Sequence, residues 1–455
     1  MKYAKADLLG TMPVGKLLVK LSAPAIIGMV VNSLYNLVDT IYVGNIGQGE
    51  GTLSLAALAV CFPIQMFLLA VAQTVGIGSA SIISRRLGEG RKEEAYRVAS
   101  SSFVLIASLG LLLSITGLVF LTPILKLFGA NDTILPFGRS YLSVILMGGV
   151  FWTITISSNN LARSEGNTKV AMTCMIIGAC INIILDPVFI FVLDMGIKGA
   201  AIATVIAQFF AFLWITGYFR SGKSSLHISM KYLMPKLKRS LEIVRIGSPS
   251  FARVVAGSFL AIAVNNAVMY YGNGNEIYLA ILGVTNRILI FALMPLFGLV
   301  QGLQPAVGYN YGALNFKRVR KAILYALGAA TVITTFFYIL FEVFPHYILD
   351  IFSNDMELIT AGIPIMRMIV AVMPLIGFQI VGASVFQALG KAGIALVLSI
   401  SRQLLFLVPL IFILPRFFSQ QLDGVWWAFP GADILASTVT AIFFLREFAK
   451  MKNTG

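Results

Sequence analysis

Two short stretches carry acids where acids are costly. In "YNLVDTIYVG" (35–44) Asp39 interrupts an apolar run, and in "INIILDPVFI" (181–190) Asp186 does the same. An ionisable group at the centre of a membrane helix costs about 2.5–3.5 kcal/mol on insertion scales, so such residues are functional candidates by default. Asn32, Asn36 and Asp39 stand at i, i+4 and i+7, which places them on one helix face. Asn182 and Asp186 are four apart and also face the same way. Pro187 follows; having no N–H, it deprives the Ile183 carbonyl of its usual donor. A carboxylate, an amide oxygen and a backbone oxygen within one turn are the ligands a hard cation wants.

Depth links the two stretches. Asp39 lies about five residues from the outer end of its apolar run, or about 7–8 Å at a rise of about 1.5 Å per residue. Asp186, Thr204 in "AIATVIAQ" and Tyr141 in "RSYLSVI" fall at comparable depths in theirs. Two carboxylates brought together in low dielectric repel unless one takes a proton or a cation bridges them. Asp39, Asn182, Asp186 and Thr204 therefore form a candidate proton or sodium switch, with Na⁺ ligands at Asp39, Asn182 and Asp186 and with Asn36 in support. Nothing in this set of oxygens chooses between the two ions.

The elements that must hold these residues are membrane helices. Of the 455 residues 58% are hydrophobic and 12% charged, and the mean hydropathy is +0.88, whereas soluble domains are roughly 45–50% apolar and about 25% charged. Twelve apolar runs, each near the length of about 20 residues that crosses a bilayer, are predicted at 18–44, 53–83, 97–122, 136–160, 170–193, 199–219, 243–271, 277–306, 322–344, 357–388, 393–415 and 424–445. Pro63, Pro249, Pro295, Pro364 and Pro374 offer kink points. Alternation of period two is absent, which argues against a β-barrel.

Charge sets the expected orientation in a cell membrane. Lys2, Lys5, Lys16, Lys20, Arg85, Arg86, Arg91, Lys92, Lys223, Lys231, Lys236, Lys238, Arg239, Lys317, Arg318, Arg320 and Lys321 gather on one side, against Lys126, Arg139, Lys198 and Arg416 on the other. By the positive-inside rule both termini are expected in the cytoplasm. The formal net charge of +15 is then topogenic, with no nucleic-acid partner implied. The first apolar run is too long for a cleavable signal, and Cys61, Cys174 and Cys180 fall inside spans as packing residues.

The chain also repeats itself. An offset of about 224 aligns "LGEGRKEEAYR" (87–97) with "YGALNFKRVRK" (311–321), "LARSEGNTKVA" (161–171) with "VFQALGKAGIA" (385–395), and "LSAPA" (21–25) with "IGSPS" (246–250). Two six-span lobes, 1–219 and 243–455, joined by a cytoplasmic linker at 220–242, are expected to be related by an axis along the membrane normal. At the same offset Asp39 falls on Val264, Asn182 on Phe406 and Asp186 on Leu410, so the switch belongs to the first lobe.

Taken with "GIKGAAIATVIAQ" (196–208) and "MPLFGLVQGLQPAVGYNYGA" (294–313), the two acidic stretches resemble the MATE family of multidrug and toxic compound extrusion antiporters, in its DinF/MepA-type bacterial branch, over essentially the full chain. The resemblance implies an all-α fold of twelve helices in two lobes forming a V. It implies export of mostly cationic, amphipathic compounds in exchange for H⁺ or Na⁺, without an enzymatic reaction or an organic cofactor. It also carries the family's first-lobe cation site onto Asp39, Asn182, Asp186 and Thr204, with Tyr141 and Asn159 in support. Another branch uses acids on the seventh and eighth helices; here only Glu276, at a loop edge, stands there.

The remaining polar residues are weaker signals. Met294, Gln301, Gln379 and Arg287 are candidates for an adaptable substrate cavity. Arg287 and Arg402 lie in spans without an obvious acidic partner and are expected to pair with helix-end carbonyls. The two histidines, His227 and His346, give no metal cluster, and the chain has no phosphate-binding G-x-x-x-x-G-K-[ST] loop. A flippase for lipid-linked precursors would call for a strongly cationic cavity, and an intramembrane transferase for a catalytic acid or His cluster; both are the lesser alternatives. Membrane lipids and small substrates are the expected partners of a monomer.

Overall fold

The computed structural model describes residues 4–47, 50–228, 232, 236–352 and 355–453. Lys2, Lys231 and part of the 220–242 linker lie outside the described residues. Among the described residues there is no strand. Backbone polar groups have no water partner in a hydrocarbon core, and a helix satisfies them within its own segment. Among the described residues eleven continuous helices are long and apolar enough to span a membrane: Val14–Gly44, Glu50–Gly88, Lys92–Val119, Leu135–Ser164, Thr168–Val192, Gly196–Arg220, Leu237–Tyr271, Glu276–Gly312, Phe316–Val343, Ala392–Phe417 and Gln421–Met451. The tenth in chain order is broken, Met356–Val370 and Met373–Ala388 meeting at 47°. They are called spans 1 to 12 below.

Several spans outrun their apolar cores where charge carries the helix on. Span 2 continues through Arg85 and Arg86, and span 3 starts at Lys92, held by Arg97 Nη2 donating to Glu93 at 2.6 Å and by Arg86 Nη1 donating to Glu89 at 2.8 Å. Pro63, Pro249, Pro295 and Pro364 are absorbed within continuous helices. The break falls beside Pro374, which supplies no N–H to the turn before it. Five-residue backbone bonding appears at Val188–Val192 just after Pro187, and at Ser401–Leu407 just before Pro409. Such widened turns re-aim side chains and are frequent at functional sites.

The repeat is visible in the backbone. Gly90 and Leu314, at φ 77° and 56°, turn the chain left-handed at matching places, as do Gly166 and Gly390 at 84° and 78°. The caps that follow match too: Arg91 and Asn315 at φ/ψ −85°/61° and −88°/70°, Asn167 and Lys391 at −102°/64° and −86°/67°. Short helices Leu121–Leu127 and Pro345–Asp350 also correspond.

Spans 1–6 and spans 7–12 meet along a seam at the end of the bundle that carries the basic loops. A methyl group on Gly88 would strike the Tyr309 carbonyl, and one on Gly312 the Arg85 carbonyl, a reciprocal pair under the repeat. A methyl on Gly308 would strike the hydroxyl of Ser84, its own counterpart, so the pseudo-twofold axis passes between them. Glycine is required at Gly88 and Gly312 because backbone meets backbone, and at Gly308 because the Ser84 side chain leaves no room for a methyl group. Polar bonds follow the same line: Ser22 Oγ donates to the Leu299 carbonyl at 3.3 Å and Ser81 Oγ to that of Gln387 at 2.7 Å. Arg318 Nη2 donates to the Met12 carbonyl at 2.6 Å. Toward mid-bundle, Phe67 and Phe251 touch edge to face with ring centroids 5.8 Å apart. Each of these contacts lies in the basic-end half or at the middle of its spans.

Glu165, just past span 4, fastens the segment after span 6. It accepts from the hydroxyl of Tyr218, from Ser224 Oγ at 3.0 Å and from the Ser225 N–H at 2.6 Å. Burial pushes its carboxyl above the ordinary range, while those donors pull the other way.

Candidate functional site

Span 5 supplies the centre of the site. Asn182 and Asp186 are 2% and 0% exposed, and Asn182 Nδ2 donates both to Asp186 Oδ1 at 3.0 Å and to Thr204 Oγ1, on span 6, at 3.3 Å. Span 1 brings the Asp39 carboxyl within interaction range of that of Asp186. Asp39, Asn182, Asp186 and Thr204, distant in sequence, thus form one cluster. Its hydrogen-bond inventory does not close. Asp39 Oδ1, Asn182 Oδ1 and Asp186 Oδ2 are buried with no donor, although buried acceptors are nearly always satisfied. Three oxygens short of a positive partner have the chemistry to take a proton or a Na⁺ ion. No group of three or more His, Cys, Asp or Glu residues suited to a metal occurs among the described residues.

A cavity of about 110 Å³ adjoins the cluster, lined among others by Asn32, Tyr35, Asn159, Thr204 and Gln208. Asn159 Oδ1 and Gln208 Oε1 are further buried acceptors without donors. The volume is well below the roughly 300–1,000 Å³ of drug-sized pockets. It suits an ion and a few waters rather than an amphipathic compound.

The supporting residues divide. Tyr141 is buried near Asp39, and its hydroxyl accepts from Gln65 Nε2 at 3.2 Å. Asn36 is exposed and turns back on its own helix, donating to the Asn32 carbonyl at 2.6 Å. Tyr35 is the residue of that turn which lies beside both carboxylates. The reason is angular: at about 100° per residue Tyr35 is about 40° from Asp39 around the helix and Asn36 about 60°. Tyr35 and Gln208 were legible only as polar residues within a turn of named ones.

The proposed substrate residues do not converge. Gln301 lines a small cavity at the seam and donates to Met29 Sδ at 3.2 Å. Gln379 is buried with a free Oε1, Met294 is half-buried and Arg287 exposed. Arg402 overturns an expectation. Its guanidinium pairs with Asp433 of span 12, Nε to Oδ1 and Nη2 to Oδ2, the second at 3.3 Å. The widened turn at Ser401–Leu407 carries Arg402, and packing of spans 11 and 12 brings the acid to it across 31 residues of sequence.

Comparison with known proteins agrees with this geometry. The family model MatE matches residues 24–188 and again 249–413, the second match beginning 225 residues after the first. The multidrug export protein MepA of Staphylococcus aureus (strain MSSA476) is 26% identical over 441 residues, 96% of this chain and 95% of MepA. A solved outward-facing conformation of a multidrug resistance MATE family transporter of the MOP superfamily is 28% identical, covers 99% of each chain and superposes with a TM-score of 0.92. Another solved chain, named protein A, is 40% identical over 96% of each chain, with a TM-score of 0.87. With both halves matched and the whole fold shared, this chain belongs to the MatE family, whose members are membrane transporters and not enzymes.

Proposed function

We propose that the chain is a secondary active multidrug exporter that exchanges amphipathic, mostly cationic compounds for H⁺ or Na⁺ by alternating access. The observation that carries the reading is the trio of donor-less oxygens around Asp39 and Asp186. A cation satisfies them, and leaving them bare in a dry site is costly. Binding the ion more tightly in one state than in the other is sufficient to drive the exchange. The basic loops are taken as cytoplasmic, so the seam closes the inner side and the halves diverge outward, as in the outward-facing relative. The lobes are assigned to 1–219 and 243–455, with 220–242 as the linker between them. Substrate is placed in the cleft between the lobes, since the 110 Å³ cavity is too small for it.

The test is dye or radiolabelled-cation transport in proteoliposomes with proton and sodium gradients imposed separately. Transport should follow one of the gradients and vanish in Asp39→Asn while that protein stays folded. Gradient-dependent transport by Asp39→Asn at the parental rate would refute the assignment.

A further inference from the structure

Arg163 ends span 4 under the seam. It is 7% exposed, and its one hydrogen bond joins Nη2 to Asn160 Oδ1, on its own helix, at 3.1 Å. A guanidinium has five donors. The adjacent acid, Glu165, is occupied by Tyr218, Ser224 and Ser225. The space around Arg163 is closed by both halves of the chain, with Ala80, Asn160 and Ser164 on one side and Gln301, Gln304 and Pro305 on the other, and leaves a void of about 10 Å³. That is about the minimum that one water needs.

The repeat supplies an internal control. The counterpart of Arg163 is Gln387, equally buried at 3%. Its Nε2 donates to the Ile246 carbonyl at 3.1 Å and to Ser250 Oγ at 3.0 Å, and its backbone carbonyl accepts from Ser81 of the other half. The two seats are alike in burial and place. One holds a neutral, well-bonded amide and the other a charge with a single partner. The carbonyls at the end of span 4 favour a cation nearby but do not replace lost hydration.

We infer that Arg163 is a charge sealed beneath the inter-lobe seam, and that its hydration when the seam parts biases the transporter toward the state open at the basic end. This rests on the two-state reading above. A buried ion with one hydrogen-bond partner and room for about one water penalises the closed seam, and fuller hydration requires Gln301, Gln304 and Pro305 to move away.

The experiment measures distances between spin labels at Thr133→Cys and Asn273→Cys, exposed on the opposite end of the two halves. It uses lipid nanodiscs and a background of Cys61→Ala, Cys174→Ala and Cys180→Ala. Arg163→Gln, the residue of the second seat, and Arg163→Met should each raise the ratio of the long distance to the short one by about tenfold or more. Arg163→Lys, which keeps the charge, should stay within about twofold of the parent. Two resolved distances whose ratio is unmoved by Gln and Met would overturn the inference and leave the exporter reading intact. A shift by Lys as large as that by Gln would also overturn it, because shape rather than charge would be responsible. A single distance in the parent across a range of pH and of sodium concentration would refute alternating access itself, and the inference with it.

Discussion

The two halves of this chain share turns, caps and short helices, yet they fill the same address differently. In the first half Asp39, Asn182, Asp186 and Thr204 make a polar cluster with unsatisfied oxygens. In the second half the counterparts Val264, Phe406, Leu410 and Ala428 belong to one apolar cluster around Trp426. The second half does hold an acid in its spans, Asp433, but Arg402 neutralises it. A duplicated scaffold therefore keeps a polar cluster with unsatisfied oxygens in one copy and packs the other as apolar core. Two of the turns keep the repeat closely, whereas the break in span 10 and the widened turn at Ser401–Leu407 have no counterpart at the same offset in spans 4 and 5.

Substitutions can break that contrast. The largest effect is expected from Asp39→Asn or Asp186→Asn: without a differential ion affinity nothing shifts the equilibrium, and gradient-driven uptake into proteoliposomes should fall to the level of empty liposomes. Next comes Asp433→Leu, which strands Arg402 and should cost about 3–5 kcal/mol of stability. The double variant Arg402→Leu/Asp433→Leu should recover most of that loss in denaturant titration and still couple transport to the ion. Failure of coupling in a stable double variant would make the second half a partner in the switch. Val264→Asp should cost about 2.5–3.5 kcal/mol, seen as a lower unfolding midpoint, and should not restore transport to Asp39→Asn. Asn36→Ala should change stability by no more than about 0.5 kcal/mol and leave the transport rate near that of the parent, because its side chain bonds only to its own helix.

The fold was legible because hydropathy and proline are local signals. The twelve apolar runs appear as spans whose edges move chiefly where Arg85, Arg86 and Lys92 extend helices past the bilayer. That Asp39 and Asp186 would meet could be read from their depth, and the Asn182–Asp186 bond from their spacing. Three things were not legible. Pro374 was one of five kink points offered by the sequence, but which of the five breaks its helix was not readable, and Asp433 reaches Arg402 only through the contact of two spans and a widened turn. Tyr35 is less visible in the sequence than Asn36, because amides announce themselves in an apolar run whereas a tyrosine passes for core.

The crossing at Ser84 and Gly308 leaves the seam almost bare of side chains, the Ser84 hydroxyl apart. Where Gly88 meets the Tyr309 carbonyl and Gly312 meets that of Arg85, no side chain stands between the halves to be repacked. Two positions 224 residues apart thus act as one, and a wedge placed in either, such as Gly88→Val or Gly312→Val, holds the same joint ajar. Under the alternating-access proposal, either substitution should trap the opposite conformation, and the pair should be interchangeable for that purpose.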